Sequence, residues 1–173
     1  MLTYSDVLES NGFPDFNLVP ISAGYGNLQG QGIYLASTDF FGGETAQVYQ
    51  ITDSVGGNPE LLVTEVAIPE FSAPTPGLME GTFTSITTND SRLQEGYLAD
   101  SIIHFVLNST DPNGDIFTSI YYGQIDLRTM TGDASFYGLN GFEYAFPCIA
   151  PMGAVETDGR SVIGYGRTGG NIL

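Results

Sequence analysis

The sequence predicts an all-β fold: one domain of roughly eight antiparallel strands with few or no helices. Three observations carry this reading. The aromatic residues are 10 Tyr and 11 Phe with no Trp, set among abundant Thr, Val and Ile. Branched and aromatic side chains of this kind fit a pleated surface better than a helix. Runs of them are separated by Gly and Pro clusters at the spacing of a barrel or a sandwich. Between Ala99 and Pro147, two long runs, Ser101–Asn108 and Ile116–Leu127, flank the turn cluster Ser109–Asp115. Pro112 fixes φ in that cluster and Asn113-Gly114 tolerates positive φ, so the pair reads as a hairpin.

In chain order, Ser5–Ser10 is the one helix the sequence suggests, with Ser5 as its N-cap and Asn11-Gly12 as its stop. Phe13–Ser22 is extended, and Pro14 and Pro20 confine it to an edge or an arm. Ala23–Gly32 reads as a glycine-rich loop. Residues 1–32 therefore read as an N-terminal arm and loop, and 33–173 as the β domain. Ile33–Phe40, Thr45–Asp53, Glu60–Ile68, Glu80–Thr88 and Tyr97–Asn108 are strand candidates, followed by Ile116–Leu127 and, near the end, Ser161–Arg167. Thr45–Asp53 alternates, with Ala46 and Val48 on one face and Gln47, Tyr49 and Ile51 on the other. Thr131–Glu143, with glycines at 132, 138 and 141 around Phe136 and Tyr137, reads as an arch into a strand that starts at Phe142. Phe146–Met152 is apolar and Pro-stiffened, and reads either as a lid over one mouth of the domain or as a plug or subunit contact.

The chain has 173 residues, enough to bury a core without disulfide staples. Four Lys plus Arg, all of them Arg, stand against 20 Asp plus Glu, for a net charge of −16. Such a surface repels phosphate backbones and anionic lipid, which disfavours nucleic acid and membrane partners. Cys148 is alone and has no internal disulfide partner. The N-terminus lacks a basic head and apolar core, and no run approaches ~18 apolar residues. The expectation is a soluble, cytoplasmic protein.

Few motifs carry chemistry. Asp111-Pro112-Asn113-Gly114-Asp115 has the opening of a calcium loop, but Ile116 and Tyr122 stand where an EF-hand needs its glycine and glutamate. A hairpin turn is the better reading. One histidine and one cysteine do not build a zinc cluster. The Gly-x-Gly runs at 24–26 and 30–32 do not open a helix, so they are not phosphate cradles. His104, in mid-strand, is either a hydrogen-bonded residue on one sheet face or a proton carrier. Tyr121 and Tyr122 point to opposite faces of their strand, as do Glu143 and Tyr144, so one of each pair faces inward. A Glu143 buried in apolar surroundings would favour its protonated form and could donate a proton.

The run Thr131–Phe146, TGDASFYGLNGFEYAF, resembles the signature of the allene oxide cyclase barrel-like superfamily, which includes dirigent proteins and spirotetronate cyclases. In those families a Gly-rich arch leads to aromatic-x-Gly-x-x-Gly and then a barrel strand. Here the aromatic is Phe136, the glycines are Gly138 and Gly141, and the strand starts at Phe142. Ala134 stands where those families usually carry glycine. The resemblance implies a single antiparallel, roughly eight-stranded β-barrel, often a homodimer or homotrimer, with a largely apolar interior and no cofactor or metal. It further implies a cofactor-independent cyclase or isomerase that folds an apolar small molecule, a polyene or epoxide-like natural-product intermediate, in a barrel cavity. On that reading Tyr122, Glu143 and Tyr144 are the catalytic polar groups and His104 a further proton carrier. Phe105, Tyr121, Phe136, Phe146 and Met152 line the substrate. Two other readings stay open: a non-enzymatic capsid, tail or filament subunit, and a lipocalin-like carrier. The cyclase reading expects a closed barrel whose cavity is lined by aromatics, and a side-chain-filled interior counts against it.

Overall fold

The structure is a computed structural model that describes residues 17–23, 32–52, 58–79, 84–111, 116–153 and 160–169. The expected helix at Ser5–Ser10, most of the loop at 24–31 and the hairpin tip at 112–115 lie outside these residues. What is described is all-β. Eight strands form one sheet: β1 (Val19–Ala23), β2 (Ile33–Thr38), β3 (Gly42–Thr52), β4 (Glu60–Ser72), then β7 (Glu95–Ala99), β8 (Ile102–Thr110), β9 (Thr118–Asp126) and β10 (Thr131–Tyr137). The short pair β5 (Gly77–Leu78) and β6 (Ser85–Ile86) lies between, and β11 (Phe142–Pro151) and β12 (Ser161–Gly169) close the chain as a separate hairpin.

The strand order is β10-β9-β8-β7-β1-β2-β3-β4. Every ladder is antiparallel except β1–β7, where Ser22 and Ala23 run parallel to Tyr97 and Leu98. The stretch read as an arm therefore contributes a barrel strand, and the boundary at residue 33 cuts through the sheet. Pro20 offers no N–H to a ladder, yet Ile21 is buried beside it, and burying that side chain offsets one missing bond. The two sheet ends approach each other. A Cβ added to Gly132 on β10 would lie 2.4 Å from Ile68 Cγ2 and 2.7 Å from the Ala67 carbonyl oxygen on β4. The sheet is thus nearly closed into a barrel.

Inward positions follow period two. Ala46 and Val48 of β3, Val66 and Ile68 of β4, Ile103, Phe105 and Leu107 of β8, and Tyr121 and Ile125 of β9 share one apolar cluster. Aromatic rings meet inside it: Tyr121 lies 5.8 Å from Phe71, 6.0 Å from Phe105 and 5.2 Å from Phe136, centroid to centroid. Gly123, opposite Phe105 in the ladder, makes room for that ring, since an added Cβ would lie 2.2 Å from Phe105 Cζ. This part of the lumen is occupied by side chains. Phe105 and Tyr121, expected to line a ligand, are packing residues, and the Tyr121 hydroxyl donates to the Pro69 carbonyl at 2.9 Å.

The β11–β12 hairpin lies on the outer face of β7, β8 and β9. Tyr97, Val106 and Ile120 point outward and bury against Tyr144 and Ile149, and Glu95 accepts the Ile149 N–H at 2.9 Å. Three local expectations change here. Tyr97–Asn108 is two strands, because Asp100 and Ser101 take positive φ (47° and 61°) and turn the chain back on itself. Thr131–Tyr137 is a regular strand paired with β9 from Thr131↔Asp126 to Tyr137↔Ile120, so only the segment around Gly141 (φ 85°) remains of the arch. Phe146–Met152 is no lid over a barrel mouth: it runs through β11, with a bulge between Ala145 and Cys148 where Phe146 takes φ 53°.

Candidate functional site

The site is built from register. Because Phe105 and Tyr121 face the lumen, their neighbours His104 and Tyr122 must face outward. Ladder pairing sets Tyr97 opposite His104 and His104 opposite Gln124, with Tyr122 one outward position away from Gln124 on β9. These four side chains therefore converge under the β11–β12 hairpin. The Tyr97 and His104 rings stack at 4.7 Å with 10° between planes. His104 Nδ1 lies 2.7 Å from the Tyr122 hydroxyl and 3.2 Å from Gln124 Nε2. Ser161, the first residue of β12, places Oγ 2.7 Å from the Tyr97 hydroxyl and 3.4 Å from that of Tyr122.

Electrostatics assigns the proton positions. His104 is 1% exposed, and burial holds its pKa below the ordinary value of 6.5, because a desolvated ring resists charge. The ring is neutral at pH 7. With the Gln124 amide donating to Nδ1, that nitrogen is the acceptor and the ring proton sits on Nε2. The Tyr122 O–H then donates to Nδ1 as well. Among the described residues the Tyr122 oxygen then has, on its acceptor side, only the long 3.4 Å contact with Ser161 Oγ.

Outward of Tyr122 is a cleft of about 480 Å³. Ser135, Phe136 and Tyr137 of β10 form one wall, Ile163 and Tyr165 of β12 the other, and Tyr122 and Ser161 complete it. At one end, Tyr137, Tyr144 and Tyr165 make edge and tilted ring contacts at 5.2 to 5.7 Å, and the Tyr137 and Tyr165 hydroxyls lie 3.3 Å apart. The cleft is thus an aromatic slot with hydroxyls at its floor and a neutral imidazole behind one of them. That arrangement can bind a flat apolar molecule and move a proton.

The structure brings together two of the four catalytic candidates, His104 and Tyr122. Glu143 is buried elsewhere, and its Oε2 accepts the Thr118 N–H at 2.6 Å. Tyr144 touches the rings at the end of the cleft, but its hydroxyl is buried with no hydrogen-bond partner among the described residues. Phe136 borders both the core and the cleft. Phe146 and Met152, both 57% exposed, line neither. Ser161, Tyr97, Gln124, Tyr137 and Tyr165 escaped the sequence reading. A serine opening a strand has no signature of its own. The alternation of Tyr165 with Ile163 and Ser161 on one face of β12 was the one available signal. Among the described residues no three of His, Cys, Asp and Glu converge as a metal ion would require. No helix of the described residues is long and apolar enough to cross a membrane.

Comparison with models of protein families, with curated proteins and with solved structures finds no match.

Proposed function

We propose that the protein is a cofactor-independent isomerase or cyclase for an apolar small molecule, and that it works in the outer cleft rather than in the lumen. The observation that supports this is the 2.7 Å contact between His104 Nδ1 and the Tyr122 hydroxyl at the cleft wall. Tyr122 is the catalytic residue: its oxygen takes a proton from substrate carbon as its own proton passes to His104 Nδ1. The resulting carbanion is reprotonated at a different carbon to give an isomer, or attacks an electrophilic carbon of the same molecule and closes a ring. His104 acts through Tyr122, as the group that accepts and returns the proton. A positioned base of this kind contributes about 10²–10⁴-fold, and the aromatic walls add rate by holding a single reactive conformer. A small homo-oligomer, dimer or trimer, fits the same reading.

The test is incubation with a panel of apolar enones, ketones and epoxide-bearing polyenes in D₂O, with deuterium uptake and new isomers read by mass spectrometry and NMR. Native protein exchanges or converts at least one class, Tyr122→Phe abolishes it, and the rate falls as pH drops through the depressed His104 pKa. Turnover that survives Tyr122→Phe, or its absence across the panel, overturns the proposal. Binding without conversion identifies a carrier, and a high-mass species in light scattering identifies an assembly subunit.

A further inference from the structure

Ser161 sits 2.7 Å from the Tyr97 hydroxyl, 3.4 Å from that of Tyr122, and on the cleft surface. From these contacts we infer that Ser161 is a second catalytic residue, a hydrogen-bond donor to a substrate carbonyl oxygen, and that the substrate class is enolisable ketones and enones. This rests on the proton-transfer reading given above.

The direction of the hydrogen bonds follows from acidity. A phenol is the stronger acid and the weaker acceptor, so within this 2.7 Å pair Tyr97 is the favoured donor and Ser161 Oγ the favoured acceptor. Tyr122 donates to His104. Among the described residues the Ser161 hydrogen then has no well-placed acceptor, since 3.4 Å to the Tyr122 oxygen is at the outer limit of a hydrogen bond. That hydrogen is directed to whatever occupies the cleft. Its donor strength is raised by the bond it receives, as in any chain of hydrogen bonds in a low-dielectric setting.

The two dyads therefore have opposite characters. Tyr122 backed by His104 accepts a proton, and Ser161 backed by Tyr97 donates a hydrogen bond. Their facing oxygens are 3.4 Å apart, so neighbouring atoms of one molecule reach both. A carbon that loses its proton to Tyr122 pushes its electron pair into the adjacent C=O, and the oxygen becomes an enolate anion at Ser161. Donors fixed where negative charge develops are the larger part of such catalysis. The proton returns from His104 through Tyr122 to the same or a conjugated carbon, so atoms and charge balance without an oxidant or reductant. A hydrocarbon polyene offers Ser161 no acceptor and is not a substrate.

The test uses a matched pair of probes, 2-acetylnaphthalene and its hydrocarbon counterpart 2-isopropenylnaphthalene, with calorimetry, the infrared C=O stretch of the bound ketone, and deuterium uptake at its methyl group by NMR. Native protein binds the ketone about tenfold tighter than the hydrocarbon, the worth of one good hydrogen bond, and lowers its C=O stretch. Ser161→Ala brings the two affinities to parity and abolishes the shift, with hydrocarbon binding unchanged. Ser161→Thr, which keeps the hydroxyl, restores both. Tyr122→Phe keeps the preference and the shift but loses deuterium uptake. If Ser161→Ala keeps the preference and the shift while uptake still requires Tyr122, the role of Ser161 is overturned and the proton-transfer reading stands. If the ketone takes up no deuterium with native protein, or if neither probe binds, the assignment of Ser161 and of ketones and enones falls, and the wider substrate panel decides the proton-transfer reading.

Discussion

Gly123→Ala is the sharpest test of a filled lumen. The new methyl carbon would lie 2.2 Å from Phe105 Cζ and 2.5 and 2.6 Å from its two Cε atoms. Carbon atoms rest at about 3.5–4.0 Å, so the ring must retreat by about 1.3–1.8 Å to clear its nearest atom. Phe105 is fully buried, and Tyr121 lies against it at 6.0 Å. Overpacking of this type costs about 1–3 kcal/mol, and three ring atoms in conflict place this site near 3 kcal/mol. In a domain of this size each kcal/mol lowers the melting temperature by roughly 2–4 °C, so calorimetry should record a fall of about 6–12 °C. Phe105→Leu alone leaves a small void and costs about 1–2 kcal/mol. The double variant should be less damaged than the sum of the two, with a coupling of about 1–2 kcal/mol, because the smaller side chain gives way to the methyl group. A Gly123→Ala protein within about 0.5 kcal/mol of the native one would refute this reasoning. The ring would then have open space to move into, and the lumen would return as a place for a ligand.

Three further outcomes follow from buried polar groups. Burial lowers the His104 pKa, so between that value and about 6.5 the unfolded chain binds more protons than the folded one. The contribution of His104 is therefore fully present above pH 6.5 and is lost as pH falls through the folded pKa. Urea midpoints from pH 7.5 to 5 should show this loss in native protein and less of it in His104→Gln. Glu143→Leu strands the buried Thr118 N–H and should cost about 1–3 kcal/mol, whereas Glu143→Gln, which keeps an acceptor oxygen, should cost less, and neither should alter deuterium uptake in the cleft. Tyr144→Phe removes a buried hydroxyl that has no partner among the described residues, so stability should be unchanged or raised, by up to about 1 kcal/mol; a loss of stability in thermal melting would show that the hydroxyl is bonded.

Alternation was the legible part of the fold. Ala46 and Val48 share the inward face as their spacing requires, and Tyr121 and Tyr122 separate to opposite faces. Which face was inward was not legible, because that depends on Gly123 and Phe105 meeting across a ladder. The turn at Asp100-Ser101 was hidden by its composition, since neither residue is the glycine that usually marks positive φ. His104 and Tyr122 were chosen separately, one as the lone histidine and one as half of a tyrosine pair. Their 2.7 Å contact is a product of β8–β9 register. The face that Ser161 shares with Ile163 and Tyr165 was legible, but its partner was not, because Ser161 reaches Tyr97 across 64 residues of chain, carried there by the β11–β12 hairpin.

The parallel contact between β1 and β7 spans only Ser22↔Tyr97 and Ala23↔Leu98. It divides the barrel into two leaves. One is the meander β1–β4. The other is the meander β7–β10, which also carries the hairpin, the imidazole and both tyrosine–hydroxyl pairs. Within each leaf the neighbouring strands β2–β4 and β7–β10 are consecutive in sequence, so their ladders can form early, whereas the seam must wait for distant segments to meet. Opening at the seam exposes the first leaf without disturbing the ladders that hold His104 and Tyr122. Amide hydrogens of β3 and β4 should therefore exchange at rates indifferent to a ligand in the cleft, while those of β8 and β9 slow when it is filled. On the proposed function, the chemistry belongs to the leaf that carries His104 and Tyr122, and the other leaf covers that leaf's inner face.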